Sequence, residues 1–323
     1  MKRPYKPLDT SRITTYSIKQ RRHRASVSKL ASLPEVGATA AELLNTFPDQ
    51  LGAAALRQVV GAVVAAVRAE RPVVAALGAH VIKAGCGPII VDLIRRGVIS
   101  ALACNGACAI HDVELALTGE TSEDVAETIR DGTFGMVAET LAFFDETTSR
   151  ARRESMGLGA AVGQLLLERE APYRDKSIFA AARTASVPAC VHVALGTDTV
   201  HMSGNADGTE WGAASMHDFR LICDVVSDLG ALAGSDVGGV WLNVGSAVVL
   251  PEVFLKAVSV ARNLGANLDR MTTANFDMLR HYRPSENVVR RPAAPGRGHE
   301  VIGHHEILLP LLRQAVIEQL ATA

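Results

Sequence analysis

Apolar positions recur with helical spacing between residues 38 and 71: Leu43, Leu44 and Phe47, then Leu51, Leu56, Val59, Val60, Val63, Val64 and Val67. From residue 72 the pattern changes. Short apolar, β-branched runs, Val73–Leu77, Val98–Ala103, Ala189–Leu195, Val240–Asn243 and Leu268–Thr272, alternate with amphipathic stretches. Those stretches are Ile89–Arg96, Asp124–Arg130, Phe134–Asp145, Phe219–Leu229 and Pro251–Asn263. Continuous apolar runs suit strands covered on both faces, so the alternation predicts an α/β fold with a parallel, Rossmann-like sheet and helices on both sides.

Each run leads into small polar residues: Gly78-Ala79-His80, Cys104-Asn105-Gly106-Ala107, Gly196-Thr197-Asp198, Gly245-Ser246-Ala247 and Thr273-Ala274-Asn275. Open parallel sheets bind ligands at the carboxyl ends of their strands. Five such segments predict a ligand crevice there. Neither G-x-G-x-x-G nor G-x-x-x-x-G-K-[ST] occurs, which leaves the usual dinucleotide fingerprint and the P-loop unsupported. G-x-S-x-G and H-E-x-x-H are absent too, which weakens serine-hydrolase and zincin readings.

Composition narrows the function classes. With 33 basic and 34 acidic residues in 323, the net charge is −1, too balanced for a protein that coats nucleic acid or binds membranes by bulk charge. Aromatic residues, at 4%, are too few for a base-stacking platform. The basic residues are uneven: Lys2, Arg3, Lys6, Arg12, Lys19, Arg21, Arg22 and Arg24 face only Asp9 before residue 25. Residues 1–35 therefore read as an extended basic arm, either frayed or docked on a partner subunit, and 36–323 as a single α/β domain. Five cysteines form an odd, sparse set that reads as reduced and cytoplasmic, and Cys104 with Cys108 has no second ligand pair at zinc-site spacing. No metal is expected. The longest apolar runs read as too short and too broken by glycine to span a bilayer.

Several residues carry candidate chemistry. His111 and Asp112 follow Asn105-Gly106-Ala107 on the expected first turn of a helix, where free N–H groups suit an anion. His111 is either structural or an acid–base group, and Asp112 either a cap or a ligand contact. Asp198 ends a strand, where an acid can hold a ribose hydroxyl or an amine. His192 falls inside that strand and reads as packed. Glu252 and Lys256 are spaced for an i,i+4 ion pair or for a Glu252 that contacts an amine. Lys83 is a candidate amine for imine chemistry, and His304-His305-Glu306 reads as surface.

Three stretches resemble the deoxyhypusine synthase family: DLIRRGVISALACNGACAIHDVE, SVPACVHVALGTD and DVGGVWLNVGSA, in the family's order, within a span from Val73 to Asn275. The resemblance implies a parallel-sheet core, NAD bound outside the usual glycine fingerprint, and tetramers built from tight dimers. It implies NAD contacts at Asn105, Gly106, Ala107, Asp112, Asp198, Gly238 and Gly239, and Ser246, in the polar segment after the fourth run, joins them as a cofactor-binding candidate. The family's histidine pair is replaced by Trp241-Leu242-Asn243, and its late lysine has no counterpart, because no lysine follows Lys256.

The expectation is thus an NAD-dependent enzyme that transiently oxidises a small amine and transfers part of it, with His111, Glu252 and Lys256 as catalytic candidates, in a homo-oligomer (dimer or tetramer). Two alternatives stand beside it: a non-catalytic NAD or metabolite sensor, and a metal-dependent hydrolase or lyase using His80, His111 and His201.

Overall fold

The computed structural model describes residues 4–322. Residues 4–37 are exposed throughout, and this segment touches the body at its end, where Asp49 N donates to Lys29 O and Ser32 N to Thr46 O. Helices α1 (Ala40–Thr46) and α2 (Leu51–Arg68) follow, α1 opened by a Thr39–Glu42 capping box. Contrary to the expectation that every apolar run is too short, α2 is long and apolar enough to cross a membrane by length and composition; here Leu56, Val59, Val60, Val63 and Val64 are buried in the core.

Then come β1 (Val73–Leu77), α3 (Ala79–Lys83), α4 (Gly87–Arg95), β2 (Ala101–Asn105) and α5 (Gly106–Thr118). A long excursion carries α6 (Val125–Thr128), α7 (Ala138–Arg153), α8 (Leu158–Glu168) and α9 (Ile178–Thr184) before β3 (Ala189–His192). The chain continues through α10 (Gly208–Ser227), β4 (Val240–Val244), α11 (Val249–Asn263) and β5 (Thr272–Asp277). A short α12 (Tyr282–Pro284) runs into a π-helix, Ser285–Arg290, and the chain ends with β6 (Gly298–Ile302) and α13 (His305–Ala321).

All six strands are parallel, in the order β3-β2-β1-β4-β5-β6. This is the doubly wound Rossmann-like arrangement, and the winding reverses between β1 and β4. Side chains alternate between two cores. Val73, Ala75 and Leu77 face a layer built from α2, α4, α5, α8, α9 and α13, whereas Val74 and Ala76 face α11 and the second half of α10. In that second layer Trp241 stacks on Phe254, with ring centroids 4.2 Å apart.

Two strands depart from the sequence pattern. The fifth strand begins at Thr272, where the predicted run ended, so Thr273-Ala274-Asn275 lies inside β5 and is not a loop. The sixth, Gly298–Ile302, carries a histidine and a glutamate and was hidden by their polarity. At the β3 edge, Val191 N donates to Asp218 Oδ2 (2.7 Å), Val193 N to Ser215 Oγ, and Ser215 Oγ to Val191 O. Side chains of α10 thus occupy the outward backbone groups of that strand. Burial pushes Asp218 up to about 7, against the opposing effect of the backbone N–H groups of Val191, Gly159 and Leu158.

Candidate functional site

The winding reverses between β1 and β4, and the segments after these two strands meet at the sheet's carboxyl edge. Gly78 N donates to Val244 O, and a Cβ on Gly78 would lie 2.0 Å from the Gly245 carbonyl oxygen. The two backbones approach as closely as they do because neither residue has a side chain.

On the β1–β2–β3 side, Asn105 is the N-cap of α5, its Oδ1 accepting from Cys108 N at 2.9 Å. Gly106 and Ala107 form the first turn. Asp198, from the loop after β3, leans over this turn: a Cβ on Gly106 would fall 2.0 Å from its Oδ2. The structure therefore brings Asn105, Gly106, Ala107 and Asp198 together. Burial alone pushes Asp198 up to about 6. Its loop is held by His201, whose Nδ1 accepts from Gly196 N and Asp198 N, both at 3.2 Å, while the ring stands edge-on to Trp211.

The β4–β5–β6 side is built differently. Asn243 of β4 and Asn275 of β5 are register partners, both fully buried, and Asn243 Nδ2 donates to Asn275 Oδ1 and to Ser246 O. Asn243 Oδ1 and Asn275 Nδ2 are left without partners, as is Oδ2 of the buried Asp277 at the end of β5. His305, at the start of α13, is also buried; its Nε2 faces Phe276 O at 3.3 Å and its Nδ1 has no partner. His305 packs on Gly245, where a Cβ would come within 2.9 Å of Cε1, and its ring lies 5.7 Å from that of exposed His80 after β1. Unpartnered buried polar atoms are costly in a finished core and are the groups a ligand would satisfy.

Other predicted residues lie elsewhere. Asp112 points inward and caps α9, accepting from Ser177 Oγ (2.5 Å) and Ile178 N (2.9 Å), and burial raises it to about 6. Gly238 and Gly239 precede β4 and so stand at the amino edge, roughly 16 Å from the crevice. Their missing side chains make room for Arg270 O and Pro72 O, not for a cofactor. Ser246 is at the crevice but buried, its Oγ accepting from Leu250 N at the head of α11.

His111, Glu252 and Lys256 are not brought together, because α5 and α11 lie on opposite faces of the sheet. His111 contacts Thr121 Oγ1 at 2.7 Å, beside Glu114. Glu252 is engaged by Lys256, Arg283 and Asn287, which is the ion-pair reading of that spacing.

His305, expected at the surface, is 1% exposed. It and Asp277 were missed, and only their place after polar strands could have marked them. Among the described residues no three His, Cys, Asp or Glu side chains converge as metal ligands. His80, His111 and His201 stand beside His305, Glu114 and Trp211 respectively.

The atoms at this edge suit a dinucleotide. Asp198 and the first turn of α5 offer an acceptor and N–H donors on one side. Asn243, Asn275 and Asp277 offer unpartnered polar atoms on the other.

No family model and no curated protein matches the chain. Solved structures do. AgrE, in its ternary complex with ornithine and NAD+, superposes with a TM-score of 0.56 at 12% identity, over 83% of this chain and 33% of AgrE. A protein described as LOR/SDH from Methanococcus maripaludis S2 gives 0.53 at 13% identity, over 89% of this chain and 74% of that one. A protein described as a deoxyhypusine synthase from Entamoeba histolytica gives 0.47 at 10% identity, too low to bear on family. The chain thus spans about a third of AgrE, and these likenesses establish a shared α/β fold and no family.

Proposed function

We propose that the chain is an NAD-dependent enzyme that oxidises a small amine in the crevice between the loops after β1 and β4. The observation that carries this reading is the carboxyl edge of the 3-2-1-4-5-6 sheet, with a largely buried carboxylate, Asp198, on one side and unpartnered polar atoms on the other. The AgrE complex with ornithine and NAD+ supports the choice of cofactor and of an amine-bearing substrate.

When bound, NAD supplies a hydride acceptor. The chain's own residues do the rest. Asp198, fixed by His201, accepts hydrogen bonds from a ribose hydroxyl. The N–H groups of Gly106 and Ala107 at the head of α5 favour negative charge. Asp277 and Asn243 present free acceptors to the N–H groups of a cationic substrate. Among the described residues no lysine is buried: Lys83, Lys176 and Lys256 are all exposed, and Lys256 is paired with Glu252. That arrangement disfavours an imine with the protein and favours direct passage of the oxidised substrate to an acceptor amine or to water.

Calorimetry with NAD and NADH, followed by NADH absorbance with a panel of diamines and amino acids, tests the proposal. Binding plus turnover supports it. Binding without turnover across the panel favours a sensor, and no binding at millimolar concentration overturns the reading.

A further inference from the structure

We infer that His80 is the acid–base residue of this crevice and that His305 is the buried acceptor that relays its proton. This rests on the amine-oxidising reading above and deepens it.

His80 lies on the first turn of α3, exposed, beside the rim where the segments after β1 and β4 touch at Gly78 and Gly245. Behind it stands His305, 5.7 Å away between ring centroids and tilted by 57°. The His305 Nε2 faces a carbonyl oxygen, Phe276 O, and must carry hydrogen to bond it. That leaves Nδ1 as a bare lone pair, and this atom is buried without a partner. A neutral imidazole of fixed tautomer, with a free acceptor and an exposed imidazole 5.7 Å away between centroids, is arranged to take a proton. Catalytic hydrogen bonds are often open without ligand, and rotation of the His80 ring or one water closes this gap.

The surroundings of His305 fit the role. Burial lowers its pKa from the ordinary histidine value, opposed by the Phe276 carbonyl and the Asp277 carboxylate, assisted by His80, and opposed again by Glu306. The ring is therefore neutral near pH 7, while Asp277 and Glu306 stabilise it once charged.

In the step, an N–H bond of the substrate ammonium breaks and an N–H bond forms on one nitrogen of His80. The electron pair stays on the substrate nitrogen, freeing the amine for oxidation. His80 releases the proton on its other nitrogen to His305 Nδ1, and the relay runs backward when product nitrogen is reprotonated.

The experiment uses the full-length protein with nitrogen-labelled histidine. NMR titration is expected to show His305 in the Nε2–H form, with a midpoint below that of free histidine that rises in His80→Gln, since a like charge is removed. A His305 protonated on Nδ1 in its neutral form, or a midpoint indifferent to His80, overturns the relay. With NAD and an amine that turns over, His80→Gln is expected to lower kcat by about 100-fold or more. His305→Gln is expected to lower kcat about tenfold and shift the pH profile, with NAD affinity unchanged in both. Wild-type pH profiles in either variant overturn the inference. Loss of NAD binding or of all amine turnover by the unmodified protein overturns the functional reading instead, and the titration then judges the histidine coupling alone.

Discussion

The two halves of the carboxyl edge hold their polar groups differently. On the β1–β2–β3 side, Asn105 caps its own helix and His201 ties down the loop that carries Asp198. On the β4–β5–β6 side, Asn243, Asn275, Asp277 and His305 are as deeply buried as the core, yet each retains an unpartnered atom. The first half also keeps unpartnered atoms, at His192 Nε2 and His201 Nε2, but they are imidazole nitrogens, whereas the second half leaves amide and carboxylate atoms unpartnered as well. Under the proposed function, the reacting end of the ligand lies over β4 and β5, and its anchoring end over β2 and β3.

The largest test of this contrast is Gly245→Ala. Gly245 has φ +66° and abuts His305, so the substitution adds both backbone strain and overlap on the β4–β5–β6 side. Chemical denaturation is expected to show a loss of about 2–4 kcal/mol. By contrast, the new Cβ of Gly106→Ala meets the far end of the Asp198 side chain, which can swing away. That variant is expected to lose under about 1 kcal/mol but to bind NAD several-fold more weakly. Equal destabilisation of the two would break the comparison.

Next comes Asn243→Ala, which strips hydrogen bonds from Ser246 O and Asn275 Oδ1 and is expected to cost about 1–3 kcal/mol. Added NAD should stabilise this variant less than it stabilises the unmodified protein, as read from thermal shifts.

Asp198→Asn probes the anchoring half. NAD affinity should fall about tenfold by calorimetry. Stability should move the other way with pH. The carboxyl is raised from 3.8 to about 6, so the folded state holds the proton more tightly than the unfolded one. The unmodified protein is then favoured at low pH and loses ground to Asp198→Asn as pH rises from about 4 to about 6. An unchanged difference between urea midpoints at pH 4 and pH 7 would remove the basis for calling this carboxylate desolvated.

The smallest effect on the fold is expected from deleting residues 1–30. These residues are exposed where described, and the Tm should stay within about 2 °C. If the arm docks on a second copy, light scattering will show a lower molar mass for the truncated chain.

How much of this could be read from the sequence follows the same division. Strands β1, β2, β3 and β4 announced themselves because their side chains are apolar on both faces. Asp198 and Asn105-Gly106-Ala107 were legible because glycine and short polar residues follow those apolar runs. The β5 sequence, TTANFD, is fully buried yet mostly polar, so the hydrophobic pattern ended where the strand began. The same polarity hid Asp277 and, one strand on, His305. Glu252 and Lys256 were visible as a pair, but which face of the sheet α11 covers depends on the winding reversal, and no local pattern encodes that.

The α10 side chains along β3 have a consequence for assembly. With Val191 N and O and Val193 N already bonded to Asp218 and Ser215, the middle of this margin has few backbone groups with which to receive a strand from another molecule. Fusion of two sheets across this border is disfavoured. A symmetric contact on that flank then falls to helix surfaces, whose specificity lies in side-chain shape and not in a shared hydrogen-bond ladder.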